Sequence, residues 1–380
     1  MTPVYLDYNA TAPLHPEARA AMVAMFDVTG NPSSVHHYGR AARAQMERAR
    51  RSVADLVRAR PQDVIFTSGA SEANAQILNH LRGGRIWISA IEHPSVLENA
   101  ALENEVHKNM RGPEHLPVTG EGVIDADALA RKIAAEGAPD LLSVMAVNNE
   151  TGVIQPIAEL GDLARKHDIW LHVDAVQAAG RMETDLGAWQ ADSLSLSAHK
   201  LGGPQGIGAL VIRKGRDPAP LIRGGGQERK RRAGTENLAG MAGFGAACDA
   251  AANAFDSYQK LSPWRDRFEA EALESMPQAC IFGRSAPRAA NTSLIALPGI
   301  PAATQLMDLD LRGFAVSSGA ACSSGTVKPS HVLEAMGADA AEAGSALRVS
   351  MGWASTEDEI RAFTQSWIAM AQNLLARRAA

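Results

Sequence analysis

SLSLSAHKLGGPQGIGALVI (193–212) sets two short apolar strands on either side of a lysine and a glycine-rich turn. Lys200 closes the run SLSLSAHK and opens LGGPQG, where glycine lets the backbone approach a ligand closely. An ammonium at the C-terminal end of an apolar strand adds little to solubility. It suits covalent amine chemistry, in which a lysine forms a Schiff base with a carbonyl compound. Most lysines are simply exposed, so the reading of Lys200 rests on its surroundings.

Working outward, the same strand signal recurs. VIFT (64–67) leads into a helix opening near Ser71, RIWIS (85–89) into one after Pro94, and LLSVMAV (141–147) into one after Pro156. IWLHV (169–173), SLSLS (193–197) and IGALVI (207–212) follow in close order. Short strands alternating with alanine-rich helical stretches predict an α/β fold, a mostly parallel central sheet flanked by helices. The segment 233–275 is nearly continuous helix former and reads as a link between two domains. Beyond it come TSLIAL (292–297), a helix over 301–311, FAVSS (314–318), a loop, a helix over 330–336, ALRVSM (346–351) and a helix over 356–375. That is the pattern of a smaller α+β unit. The division expected is a large domain over 16–250, a small C-terminal domain over 251–380, and an N-terminal segment, 1–15, that joins the small one. Near the start, an amphipathic helix (16–26) and the irregular GNPSSVHHYG (30–39) are placed to cover a cleft.

With 380 residues, 46% of them hydrophobic, the chain has enough apolar surface for a large core and two domains. A net charge of −5 offers no global basic field for nucleic acid or an anionic membrane. The one basic run, Arg229 to Arg232, lies in a glycine-rich loop and reads as a solvated loop or a small-anion contact. MTPVYLDYNATA carries no basic leader, and no apolar run reaches membrane-spanning length. Three cysteines without metal-type spacing exclude a disulfide framework and a zinc site, so the expected compartment is the reducing cytoplasm.

The groups that a pyridoxal phosphate (PLP) pocket requires recur just past the C-terminal ends of the expected strands, where ligands of open α/β sheets bind. The phosphate needs N–H groups at a helix N-terminus. SGASEAN (68–74) supplies glycine and the Ser71 hydroxyl, though an ordinary N-cap turn reads equally well. The pyridine nitrogen needs a carboxylate, and Asp174 ends the strand IWLHV. Gln177 lies three residues on, near enough to donate to the ring's phenolate oxygen. His93 in EHPS can stack on the ring, although a lone histidine in such a turn is more often structural. Asn149 falls at the same edge.

These residues also carry a resemblance. The chain resembles the cysteine desulfurases of the NifS/IscS-like group, within class V of the fold-type I PLP enzymes. The match runs nearly end to end through YLDYNATAP (5–13), GNPSS (30–34), FTSGASEAN (66–74), EHPSV (92–96), VNNETGVIQPI (147–157), HVDAVQAAG (172–180), SLSAHKLGGPQGIGAL (194–210), GGGQERKRRAGTEN (224–237) and SSGAACSSG (317–325). It implies that Lys200 tethers PLP, Asp174 pairs with the pyridinium nitrogen, Gln177 and Asn149 lie near the phenolate oxygen, and His93 stacks on the ring. It further implies that Ala70, Ser71, Ser197 and His199 bind the phosphate. Thr235 would reach the phosphate of the other subunit of a homodimer. Arg348 would grip the substrate carboxylate, a task that suits a guanidinium fork; an inter-domain salt bridge is the alternative.

Cys322 lies in SSGAACSSGTVKPS (317–330), a stretch without apolar anchors, and is expected to be exposed and mobile. Cys248 and Cys280, by contrast, sit among small or apolar residues and read as buried hydrophobes. The resemblance implies conversion of L-cysteine to L-alanine, with Lys200 moving the Cα proton and His93 a proton of the substrate thiol. Cys322 would attack the substrate sulfur, so that L-alanine is left and Cys322 carries a persulfide, whose sulfur passes to an acceptor protein for iron–sulfur cluster assembly or for tRNA or cofactor thiolation. Gly203 and Gln205 depart from the bulkier residue and lysine of many relatives. The end MAQNLLARRAA lacks the longer tail with which the housekeeping branch docks its scaffold. A selenocysteine lyase, a class V aminotransferase and a non-catalytic scaffold are the rival readings. A mobile thiol counts against the second, and an intact set of pocket residues against the third.

Overall fold

The structure is a computed structural model that describes residues 3–106, 112–319, 322–323, 326–327 and 330–379. Seven strands form the main sheet, in the order Val64–Thr67, Gly208–Ile212, Ser193–Ser197, Trp170–Asp174, Leu141–Met145, Ile86–Ser89 and Glu114–Leu116. Gly208–Ile212 runs antiparallel to both neighbours, and the remaining pairs are parallel. Connection length explains this. The short turn after Lys200 allows only a hairpin return, whereas parallel neighbours need a long crossover, helical in Ile157–Lys166 and made of successive turns over 175–192.

The five central strands are buried along their whole length, as expected of a sheet covered on both faces. Alternate residues feed two different cores. Val64 and Phe66 pack on one side with the helices His37–Leu56 and Leu238–Asn253, and Ile65 packs on the other with Ala70–His80. A separate core gathers Leu6, Phe268, Ile295, Leu347, Phe363 and Trp367 around a four-stranded sheet. Its order is Ser317–Ser318, Ala346–Ser350, Thr292–Ala296 and Cys280–Ile281.

Three details depart from the sequence reading. The strand expected over 314–318 divides at Val316: Phe314–Ala315 pairs with Val4–Tyr5, while Ser317–Ser318 pairs with Ala346–Ser350. The helical stretch 233–275 breaks into Leu238–Asn253, Phe255–Gln259 and Leu261–Ser275. The 20-residue helix His37–Leu56 was not anticipated, although Ala42, Met46, Ala49 and Val53 recur at helical spacing and are all buried.

Candidate active site

Residues 6–12 cross the C-terminal edge of the main sheet, and between this segment and the strand ends lies a cleft of 670 Å³. Lys200 faces it from the short turn Ala198–Lys200 that follows strand Ser193–Ser197. Its amine donates to Ala10 O at 2.8 Å and to Asn9 O. Burial, with help from Arg181 and Arg348, pushes the amine down to about 7, against weaker opposition from Asp7 and Asp174. A substantial neutral fraction near pH 7 is what amine nucleophilicity requires.

Asp174 ends its strand on the cleft floor, where Val176 N donates to Oδ1 and Asn74 Nδ2 to Oδ2, both at 3.0 Å. Asn74 is fully buried, and its second Nδ2 hydrogen goes to Ser95 Oγ at 2.9 Å. With the amide nitrogen committed, Asn74 Oδ1 must accept, so His172 carries its proton on Nε2, 3.0 Å away. His172 Nδ1 then accepts from Ser193 Oγ at 2.8 Å, and Ser193 accepts from Trp170 Nε1 at 2.9 Å. Burial holds His172 down at about 3, so this chain of bonds is neutral.

His93 stands just ahead of helix Pro94–Val106. Ser95 N donates to its Nδ1 at 3.1 Å and Ser95 Oγ lies 2.9 Å from the same atom. An Nδ1 that accepts leaves the proton on Nε2. Burial lowers the pKa of His93, Asp174 opposes this, and Lys200 and His331 lower it further. The neighbouring Glu92 is wholly buried, and its carboxyl is pushed well up by burial and by Asp174.

The helix Ala70–His80 begins at Gly69 with no side chain capping its first turn. Its free N–H groups, with Ala70 and Ser71 lining the cleft, make a ready anion cradle. Gly208 makes this packing possible, since a Cβ there would fall 2.5 Å from Leu196 O and 2.7 Å from Gly69 Cα. Arg232 grips Glu72 in the first turn at 2.9 and 3.2 Å. Burial raises the Glu72 pKa, but Arg232 and Ser68 outweigh it and the net shift is downward. Ser197 and His199 line the same end, and burial with Lys200 and Arg181 pushes His199 down to about 4.

Arg348, on strand Ala346–Ser350, donates to Asp7 Oδ1 at 2.7 Å and to Asn149 O at 3.2 Å. Its Nε is buried without a partner, and the side chain lines the cleft. The salt bridge offered as an alternative therefore coexists with a place on the cleft wall. Gln177 lines the cleft too, but its amide is engaged by Asn9 O at 3.1 Å and by Arg181.

Of the site residues expected from the sequence whose side chains are described, all line this cleft except Thr235. Thr235 is exposed, outside this chain's own cleft. Cys322–Ser323 pairs antiparallel with Thr326–Val327, and the Cys322 side chain lies outside the described residues. Cys248 is buried and pushed well up; Cys280, half-buried, is raised by burial to about 11.

The sequence reading gave no role to Asn9. Its carbonyl receives Lys200 Nζ and Gln177 Nε2, its Nδ2 donates to Asn149 O and Thr292 Oγ1, and its Oδ1 accepts from Arg181 and Asn291. No residue type or spacing advertises such a hub; only the fold gathers its partners.

The profile of the family described as aminotransferase class-V matches residues 4–363. The chain belongs to that family. A protein of Dictyoglomus turgidum named "Cysteine desulfurase IscS" is 38% identical over 94% of this chain and 91% of its own length. An "IscS-like cysteine desulfurase" of Mycobacterium tuberculosis is 38% identical over 94% and 93%. Among solved structures, a NifS-like protein from Rickettsia africae superposes with a TM-score of 0.88 at 33% identity, over 97% of this chain and 99% of that one. A class V, NifS-like fold with a mainly parallel central sheet is thus shared. Among the described residues, no helix is long and apolar enough to cross a membrane.

Proposed function

We propose that this chain is a PLP-dependent cysteine desulfurase, which converts L-cysteine to L-alanine and carries the sulfur away as a persulfide on Cys322. One observation carries the reading: an amine held near neutrality at Lys200 shares a cleft with the Asp174 carboxylate, an uncapped helix N-terminus and the Arg348 guanidinium. These groups fit PLP. Ala70, Ser71, Ser197 and His199 would hold its phosphate, Asp174 its ring nitrogen, Gln177 and Asn149 its phenolate side, His93 its ring face, and Lys200 its aldehyde carbon. When bound, PLP supplies the electron sink that makes a substrate Cα proton removable.

The chain's own residues do the rest. Arg348, held on the cleft wall by Asp7, orients the substrate carboxylate. Lys200, neutral in a large fraction of molecules near pH 7, takes and returns the Cα proton. His93, with Nδ1 pinned by Ser95 and its proton on Nε2, is set to exchange a proton with the substrate thiol.

Thr235, exposed on the loop that Arg232 ties to Glu72, supports a homodimer in which each subunit completes the other's phosphate site. Phe26 and Val35, 74% and 82% exposed, offer apolar surface for a second copy to cover. The working unit then has a large domain over 16–250, a small one over 251–380, and residues 1–15 joined to the latter. Its sulfur acceptor is a protein, an iron–sulfur scaffold or a thiolation enzyme, in the cytoplasm. Neither nucleic acid nor membrane takes part directly.

The test is incubation of the purified protein with L-cysteine and a thiol reductant. Alanine and sulfide should appear in equal amounts; Cys322→Ala should lose both while keeping the yellow colour of bound PLP. Alanine formation that survives in Cys322→Ala would sink the assignment of the thiol.

A further inference from the structure

A second cation reaches Lys200 from behind the cleft. Arg181, 4% exposed, follows strand Trp170–Asp174 by one turn and spreads its guanidinium under residues 8–9. It donates to Asn9 Oδ1 at 2.7 Å, Gln177 Oε1, Lys200 O at 3.1 Å and Tyr8 O at 3.4 Å. All four acceptors are uncharged. Among the described residues no carboxylate lies within ion-pair distance of it. A buried arginine ordinarily pairs with an acid, because an uncompensated charge in a packed interior is expensive.

The other charged groups around Lys200 are accounted for. Arg348 is paired with Asp7, and Asp174 is held by Asn74 and Val176. His93 and His199 both have lowered pKa values, as does His15. Burial raises the hydroxyls of Tyr8 and Tyr258, which with His15 line a small pocket shared by Lys200 and Arg181, so none of these brings a charge near pH 7. Arg181 alone brings an unmatched charge. Both cations also hang on one residue, since Asn9 takes Arg181 on its side chain and the Lys200 amine on its carbonyl.

We propose that Arg181 is a positioning residue for Lys200: its bond to Lys200 O fixes the turn that presents the amine, and its unmatched charge adds to burial in favouring the neutral, nucleophilic form of that amine. The proposal rests on the reading of Lys200 as the reactive amine. A hydrogen-bonding residue alone would have met the needs of Asn9, Gln177 and Tyr8. What a neutral side chain cannot supply is the field.

The experiment reads the proton affinity of Lys200 without reference to turnover. Full-length protein is freed of cofactor with hydroxylamine, then pulsed with isotope-coded acetic anhydride across a pH series. Acetylation of the Lys200 peptide is quantified by mass spectrometry. The wild-type midpoint is expected at about 7. In R181M it should rise by at least one unit, an about fivefold or greater loss of labelling at pH 7. R181K, which keeps the charge, should restore the wild-type midpoint, with circular dichroism confirming folded protein in each case. An unchanged midpoint in folded R181M would overturn the proposal. So would a wild-type midpoint near the ordinary lysine value of about 10.4, which keeps the test decisive even where R181M does not fold. Loss of desulfurase activity with a low, Arg181-dependent midpoint would instead count against the proposed reaction alone.

Discussion

Asn74 gives one amide hydrogen to Asp174, at 3.0 Å, and so ties the helix that opens at the anion cradle to the carboxylate on the cleft floor. The second hydrogen goes to Ser95, which in turn holds His93. One buried amide thus orients two groups that would face opposite parts of the ring. In Asn74→Ala, Asp174 and Ser95 each lose a buried donor, and His172 loses its acceptor. Losses of this kind cost about 1–3 kcal/mol each when the partner stays buried. We expect PLP affinity to fall at least about tenfold, with the folded state retained. Titration of apoprotein with PLP, followed by visible absorbance, measures this; affinity equal to wild type would show that Asn74 does not position Asp174.

The same network has a pH signature. His172 is held at about 3 in the folded protein, below its ordinary 6.5, because burial excludes the charged form. Between those values the unfolded chain binds a proton that the folded one refuses, so stability falls as pH drops from 6.5 towards 3. Above 6.5 the group contributes no pH dependence. At pH 5 the penalty is about 2 kcal/mol, from 1.36 kcal/mol per pH unit. His172→Gln, which cannot charge, should lose less stability than wild type between pH 7 and pH 5 in urea melts. Parallel losses in the two proteins would contradict the assignment.

Asp7 and Arg348 make a prediction about substrate. Removing the guanidinium in Arg348→Gln should lower kcat/KM for L-cysteine by about 100-fold or more, since a charged hydrogen bond contributes about 1.5–3 kcal/mol and two are at stake. Asp7→Asn keeps Arg348 but loosens it, and the expected loss is about tenfold, mostly in KM. Steady-state kinetics with free cysteine separates the two cases. An Asp7→Asn enzyme with lowered kcat and unchanged KM would mean that Asp7 acts on the chemistry and not on the grip.

Local sequence carries the strands and the cradle because strand ends and helix starts are set by neighbours in the chain. VIFT and SLSLS appear at the residues read from their apolar pattern. Lys200, Asp174 and Ser71 follow, each a fixed step beyond a strand. The division at Val316 is not legible in this way, since FAVSS is uniform in composition and which sheet each half joins depends on Val4–Tyr5 and Ala346–Ser350 far away. Asn9, Asn74 and Arg181 are hidden for a related reason. Their partners lie up to 341 residues distant, and nothing in an asparagine or arginine alone tells a buried hub from a solvated surface residue.

Glu228 supplies the last test. Its carboxylate takes both nitrogens of the Arg50 fork at 2.6 and 2.7 Å and the Phe66 N–H at 3.0 Å, and both side chains are almost wholly buried. The pair joins helix His37–Leu56, strand Val64–Thr67 and the loop that presents Thr235. It also holds a costly backbone: Glu228, Arg229 and Lys230 take φ of 44°, 58° and 66°, three consecutive left-handed residues without a glycine. Such residues cost about 1–2 kcal/mol each, so the turn persists only because the ion pair outweighs the strain. Breaking the pair in Glu228→Gln leaves the buried Arg50 guanidinium only the part-exposed Glu47, 3.1 Å from its Nε, as an ionic partner, and should destabilise by about 3 kcal/mol. Removing both charges in Arg50→Met with Glu228→Met should cost less than the single change, because no charge is then left unpaired. Arg229→Gly, which relieves strain without touching the pair, should instead stabilise. Denaturant midpoints of these three variants decide the matter, and a double variant less stable than Glu228→Gln would contradict the cost assigned to the unpaired charge.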